Sequence, residues 1–128
     1  MHPTQKKFIE TLDKIKALHI AKAKDYGEDH DPLANVRNGG EFVNIESWRA
    51  CLVRVADKIQ RIKTFCKKGN LTNESLEDSF LDLASYAIIA HVLYTEEREF
   101  EECNLRKTTS HDSNGDLGVR SPSKKFRL

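Results

Sequence analysis

The chain has 128 residues, of which 38% are hydrophobic and 32% charged, and its formal net charge is only +1. This length suits one domain, and the balanced charge is unlike that of nucleic-acid-binding proteins, so no nucleic-acid partner is expected. No apolar run approaches the ~20 residues that a membrane span needs, and the N-terminus lacks the apolar core of a signal peptide. Three cysteines without CxxC spacing argue against disulfides and a zinc site, which favours a cytoplasmic protein.

Hydrophobic spacing predicts a first helix that begins after Thr4, a suitable N-cap residue, and ends at Gly27. Its apolar positions are Phe8, Leu12, Ile15 and Leu18. Residues 28–40 are rich in turn-forming residues and include Asn38-Gly39-Gly40, so a loop is predicted there.

A second helix is predicted over residues 45–67, and Gly69 is expected to stop it. Its apolar stripe consists of Trp48, Leu52, Val55, Ile59, Ile62 and Cys66. A third helix is predicted over residues 74–102, with Thr72 or Asn73 as its N-cap.

The middle of the third helix, residues 80–94, is apolar on nearly every side. A helix of this kind is buried on most faces, either at the centre of a domain or in a subunit interface. From Asn104 onward the polar sequence lacks a helical pattern. We therefore expect an all-α domain over residues 1–103, followed by a flexible, disordered polar tail over residues 104–128. Its three main helices would form a bundle that is completed by homo-oligomerisation, with a dimer favoured.

Asp82 is the carboxylate in the apolar middle of the third helix, where an unpaired charge is very costly. Glu74 and Asp78 precede it at intervals of four residues, so the three carboxylates would share one helix face. Stacked carboxylates of this kind bind Mg²⁺ in helical bundles. The alternative is that Asp82 forms an ion pair with an arginine of the second helix, while the other two favour the helix N-terminus.

The second helix carries three cations beside its apolar stripe, and they could hold the phosphates of a nucleotide. They are Arg54, Lys58 and Arg61. The alternative is a solvated charged face in which these cations pair with Asp57.

At the end of the first helix, Lys24 could contact phosphate and Tyr26 could stack on a base. Equally, a lysine there would complement the helix dipole while the tyrosine packs.

Three segments carry a resemblance to a known family. They are Lys24-Asp25-Tyr26-Gly27, then Arg54-x-x-Asp57-Lys58-x-x-Arg61, then Glu74-Ser75-x-x-Asp78-x-x-x-Asp82-Leu83-x-x-Tyr86-Ala87. In their order and spacing, over residues 15–95, they resemble the nucleotide-modification-associated helical domain common in bacteriophages. The resemblance implies an all-α fold and a role in phage nucleotide metabolism, in the host cytoplasm if the protein is phage-encoded.

More distantly, the layout is similar to the all-α nucleotide pyrophosphohydrolases of the MazG and dimeric dUTPase group, which bind Mg²⁺ with carboxylates of two helices. That similarity implies that Glu74, Asp78 and Asp82 hold Mg²⁺, with Asp78 and Asp82 as catalytic residues. Lys24, Tyr26, Arg54, Lys58 and Arg61 would bind the nucleotide substrate. The products would be a nucleoside monophosphate and pyrophosphate.

Two other functions compete with this hydrolase hypothesis. In the first, the same cations hold a nucleotide without a metal and without turnover. In the second, the protein is a structural helical protein whose charged side chains only fix the register of its helices.

Overall fold

The computed structural model describes residues 1–26, 31–71 and 74–110, which form four α-helices and no β-strand. The helices are α1 (Pro3–Tyr26), α2 (Ala34–Val43), α3 (Ser47–Lys68) and α4 (Leu76–Ser110). The predicted all-α class is confirmed, and the three predicted main helices are α1, α3 and α4. The loop predicted over residues 28–40 is wrong from residue 34 onward, because α2 forms there. None of the helices in the described ranges combines the length and apolar character that a membrane crossing requires.

Helix α2 forms in spite of Gly39 and Gly40, which have poor intrinsic helix propensity. Contacts with the rest of the fold override that propensity. Ala34 and Gly40 are buried, and α2 packs against α3. Arg37 anchors α2 through two ion pairs, one to Asp31 (Nε–Oδ2, 2.8 Å) and one to Glu96 of α4 (Nη2–Oε2, 2.6 Å).

The turn from α2 into α3 is tight. Asn44 ends α2 in the left-handed conformation (φ 60°), and the N–H of Ile45 donates to the carbonyl of Gly40 at 3.0 Å. A Cβ atom at Gly40 would lie 3.0 Å from the carbonyl oxygen of Ile45 and 3.1 Å from the Cα atom of Ser47. Gly40 is therefore needed for close approach of the backbone.

Helices α3 and α4 pack against each other in antiparallel directions and form the centre of the fold. Trp48, near the start of α3, contacts Tyr94 with the rings edge to face and their centroids 5.5 Å apart. Farther along α3, the thiol of Cys51 donates to the carbonyl of Tyr86 at 3.2 Å. Cys51 and Leu93 are each only 1% exposed, so they mark the core.

The buried face of α3 agrees with the predicted stripe only in part, because Trp48, Val55 and Ile62 are half-buried whereas the other three positions are exposed. Leu52 and Ile59 are 43% and 46% exposed, and Cys66 is also exposed. The core-facing side of α3 instead passes through Cys51 and Lys58. Lys58 lies on this face and is partly buried. Because its side chain is charged, hydrophobic spacing alone did not identify the face.

The ends of α3 and α4 agree only in part with the sequence. Gly69 ends α3 as predicted, with φ 77° and an N–H that donates to the carbonyl of Phe65. The cap of α4 is Ser75, because its hydroxyl accepts the N–H of Asp78 at 3.0 Å. The predicted caps Thr72 and Asn73 lie outside the described residues.

The C-terminal boundary also moves. Helix α4 continues to Ser110, beyond the expected start of the tail at Asn104. The predicted start of the disordered tail, at residue 104 of the range 104–128, is therefore several residues too early. Residues 111–128 lie outside the described part of the chain, and for them the tail stays a prediction.

Helix α1 leaves much of its apolar surface exposed, because Ile15 is the one buried residue between Pro3 and Asp25, the part of α1 whose burial is described. Phe8 is 60% exposed and Leu12 is 45% exposed. On α4, Phe80 and Ile88 are about half exposed, which differs from the expected burial on nearly all sides. Exposed apolar surface on two helices is typical of a subunit interface. It supports the homo-oligomer, which stays a prediction.

The adjacent glycines of α2 provide a matched pair of substitutions. We expect Gly40→Ala to lower the free energy of unfolding by roughly 1–3 kcal/mol, because the new methyl group meets backbone atoms. Gly39→Ala should raise it by up to about 1 kcal/mol, because a Cβ there meets nothing within 4 Å and alanine favours the helix. Urea unfolding followed by circular dichroism measures both. Equal effects of the two substitutions would contradict the proposed close approach.

The exposed apolar surface of α1 generates a second expectation. Light scattering at micromolar concentration should return about twice the monomer mass of 14.7 kDa. Phe8→Glu combined with Leu12→Glu should shift the protein to the monomer, since burying a carboxylate in an apolar interface is costly. Gln5→Glu is the control, an exposed position near the start of the same helix. A monomeric wild type would exclude the dimer.

Candidate functional site

A group of five charged side chains joins three helices at one end of the fold. We call it the charged cluster, and it consists of Lys22, Lys58, Arg61, Glu74 and Asp82. Lys22 comes from α1, Lys58 and Arg61 from α3, and Asp82 from α4, while Glu74 lies just before α4. Residues far apart in the sequence therefore meet in one place.

Lys58 is the centre of the charged cluster. Its ammonium nitrogen lies 3.0 Å from Asp82 Oδ2 and 3.1 Å from Glu74 Oε2. Lys22 Nζ lies 3.2 Å from the other oxygen of Asp82, and Arg61 Nε lies 3.7 Å from the other oxygen of Glu74. The side chains of Lys58, Glu74 and Asp82 are only 14%, 18% and 20% exposed. These charges are thus largely withdrawn from water, where ion pairs are screened less.

The titration behaviour of the cluster follows from this geometry. Burial by itself lowers the pKa of Lys58, but hydrogen bonds and negative charge from Asp82 and Glu74 outweigh it and raise the pKa. Burial raises the pKa of Asp82, yet the two lysines that contact it bring that pKa below its ordinary value. Lys58 and Asp82 therefore both stay charged near neutral pH.

Glu74 is held by a group that does not belong to the cluster. The hydroxyl of Ser79, which is fully buried, donates a short hydrogen bond to Glu74 Oε1. This bond is the main cause that lowers the pKa of Glu74; burial opposes it, and Lys58 and Arg61 add to it. Because Ser79 is in the first turn of α4 and Glu74 precedes the helix, this bond fixes the Glu74 side chain against the start of the helix.

A cavity of about 330 Å³ lies beside the charged cluster. Its polar end contains Lys22, Arg54 and Asp82. Most of the other lining residues are apolar or aromatic, and they come from α1, from α4 and from the segment that leads into α2. They include Leu18, Leu33, Val36, Tyr86 and Ile89. A volume of ~300 Å³ or more with a few convergent polar groups is typical of a small-molecule site.

Arg54 is the cation most available to a ligand in this cavity. It is exposed, and within the described ranges it forms no ion pair with a carboxylate. Lys22 is 51% exposed, and among the residues that the structure describes a single carboxylate, that of Asp82, pairs with it. The cluster has three cations and two carboxylates, an excess of one positive charge, and Arg54 raises that excess to two. This end of the cavity therefore attracts anions.

The structure brings most of the predicted site residues together. Lys58, Arg61, Glu74 and Asp82 belong to the charged cluster, and Arg54 lies beside it in the cavity. Asp82 is paired with cations, as the alternative interpretation held, although its partners are Lys22 and Lys58 and no arginine.

Lys24 is exposed near the end of α1 and does not line the cavity. Lys22, two positions before it, is a lysine of α1 that does line the cavity. Tyr26 is the last residue of α1, and its side chain lies outside the described part. Substrate binding by Lys24 and Tyr26 stays a prediction.

The three predicted metal ligands do not converge. Asp78 is exposed on the first turn of α4, whereas Glu74 and Asp82 meet at Lys58. The predicted spacing assumed that Glu74 is inside the helix, but the helix begins at Leu76, so the interval of four residues does not apply. In the ranges that the structure covers, no group of three His, Cys, Asp or Glu side chains is placed to hold a metal ion.

Several cavity residues were missed by sequence reasoning. Leu33 and Val36 belong to the segment that was predicted as a loop. Asp31 carries the signal that could have identified the helix, since its side chain accepts the N–H of Leu33 at 3.0 Å in the manner of a helix-initiating turn. His19 and Lys22 could have been found from Ile15, because positions 15, 19 and 22 share one face of α1.

Residues 22–93, more than half of the chain, match the protein family described as nucleotide modification associated domain 1. The matched range contains the whole charged cluster and Arg54. No curated protein and no solved structure is significantly similar to the chain. The more distant similarity to pyrophosphohydrolases therefore stays a prediction.

The central position of Lys58 predicts the effect of its removal. Lys58→Met should lower the free energy of unfolding at pH 7 by roughly 1–3 kcal/mol, because Glu74 and Asp82 lose a shared partner in a largely buried site. Lys63→Met is the control, since Lys63 is an exposed lysine of the same helix. Urea unfolding of both variants and wild type measures the difference.

The same pair of variants tests the pKa directions. The pKa values of Glu74 and Asp82 are lowered in the folded state, so their contribution is present above the unfolded values and is lost as the pH falls through the folded ones. The difference between wild type and Lys58→Met should therefore shrink below about pH 4. A difference that stays constant from pH 7 to about pH 3 would show that lost packing, and not lost charge pairing, causes it.

Proposed function

We propose that this chain, which belongs to the nucleotide modification associated domain 1 family, binds a nucleotide in the cavity beside the charged cluster. The phosphates would contact Lys22 and Arg54, and the base would lie among the apolar walls. The observation that carries the proposal is the excess of positive charge at one end of a cavity of about 330 Å³. The family description supports a ligand of this class.

The ion pairs of the charged cluster would allow Lys22 to leave Asp82 and contact a phosphate. Asp82 has two cationic partners, one at each oxygen. If Lys22 turned toward a phosphate, Asp82 would keep its contact with the less exposed Lys58. No carboxylate would then be left unpaired, and Lys22 would need little reorganisation because it is half exposed. Asp82 thus holds Lys22 at the cavity in the free protein.

Hydrolysis is the further step that the resemblance to pyrophosphohydrolases implied, with Mg²⁺ held by Glu74, Asp78 and Asp82. The present arrangement of these carboxylates does not fit a preformed site of that kind. Lysine ammonium groups occupy the positions next to Glu74 and Asp82 where a cation would lie, and Asp78 is apart from both. We therefore propose binding that is independent of a metal, and we assign no hydrolytic step.

The four ordinary deoxynucleoside triphosphates are suitable probes in isothermal titration calorimetry. We expect at least one to bind when EDTA is present. Arg54→Met should weaken that binding about tenfold or more, because charge-assisted hydrogen bonds to phosphate contribute about 1.5–3 kcal/mol. The free protein should keep its stability, since Arg54 is exposed.

Arg98→Met removes an exposed arginine from a distant part of α4 and is the matched control. Equal affinities of the two variants would exclude Arg54 from the site. If binding occurred only with Mg²⁺ and pyrophosphate were released, the hydrolase hypothesis would replace the binding proposal. The absence of binding under all conditions would favour a structural helical protein.

A further inference from the structure

A smaller cavity adjoins the cavity of the proposed site, and we call it the apolar annex. Its volume is about 90 Å³, and it shares His19, Leu33, Ser85 and Ile89 with the larger cavity. Beyond these shared residues, its walls are the aliphatic side chains of Ile15, Ile88 and Val92. The annex therefore lies directly beside the proposed nucleotide site, toward Val92 and farther along α4 than the charged end.

The size of the annex restricts what can occupy it. An apolar cavity of ~150 Å³ accommodates a benzene ring, so about 90 Å³ is too small for the ring of a base. The larger cavity, at about 330 Å³, is where a base and its sugar have room. The annex fits only a substituent of a few heavy atoms that projects from the base.

The chemistry of the annex is equally restrictive. Its polar groups are His19 and Ser85, and both are at the junction with the larger cavity. The hydroxyl of Ser85 already donates to the carbonyl of Leu81 at 2.9 Å, so its proton is not available to a ligand. The walls beyond the junction are aliphatic. A polar substituent would find no hydrogen-bond partner on these walls, whereas an alkyl group gains by burial against them.

From this shape and lining we propose that the protein selects nucleotides whose base carries a small alkyl substituent, as in 5-methylpyrimidines. The inference rests on the proposed nucleotide binding and specifies its ligand. The phosphates bind at Lys22 and Arg54, and the methyl group enters the apolar annex. Selection therefore depends on contacts at the opposite end of the cavity from the charges.

The pair dTTP and dUTP tests this inference directly, since the two differ by the 5-methyl group alone. In calorimetric titrations of the wild-type protein, dTTP should bind roughly five- to tenfold more tightly than dUTP. The pair 5-methyl-dCTP and dCTP should show the same ratio. Val92→Phe, which fills the annex, should bring the ratio of the dTTP and dUTP affinities to about one.

Leu105→Phe is the control, because it adds the same ring at an exposed position of α4 outside both cavities. Equal binding of dTTP and dUTP by the wild type would overturn the annex inference and leave the proposed function intact. If none of these four pyrimidine nucleotides bound but dATP or dGTP did, the annex inference alone would fail. If no nucleotide bound, both would fail. The wild-type comparison decides even if Val92→Phe does not fold.

Discussion

The placement of one ammonium group between two carboxylates determines much of this structure. Lys58 would be costly to withdraw from water without partners, and Glu74 and Asp82 would repel each other without it. Each of the three groups is tolerable in a largely buried position only because the other two are there. These ion pairs thus fix α3, α4 and the segment that precedes α4 relative to one another.

This constraint extends outward through the second oxygen of each carboxylate. Asp82 reaches Lys22 and so attaches α1, which otherwise makes few buried contacts with the rest of the chain. Glu74 reaches Arg61 and is fixed by the buried Ser79. Since the cavity lies between α1 and α4, the Lys22–Asp82 pair contributes to the shape of the cavity as well as to its charge. Lys22 and Asp82 therefore contribute both to stability and to the proposed binding.

The sequence predicted the long helices because their apolar spacing and the glycine at 69 are local signals. It did not predict α2, because the burial of Ala34 and Gly40 depends on contacts with distant residues. Arg54, Lys58, Arg61, Glu74 and Asp82 were recognised as a set, but their pairing was not. A lysine with carboxylates on two sides and a metal with the same carboxylates give similar sequence patterns. Only the position of Lys58 relative to the start of α4 distinguishes them.

The cavity has a charged end and an apolar end because the lining residues of both α1 and α4 pass from charged to aliphatic along it. Along α4 the lining residues pass from Asp82 through Ser85 and Ile89 to Val92, from charged to aliphatic. Along α1 they pass from Ile15 through His19 to Lys22, from aliphatic to charged. Because Lys22 pairs with Asp82, the charged ends of both series coincide, and so do the aliphatic ends. One ion pair is thus enough to align a positively charged end with an apolar end, and this arrangement suits the nucleotide that we propose as the ligand.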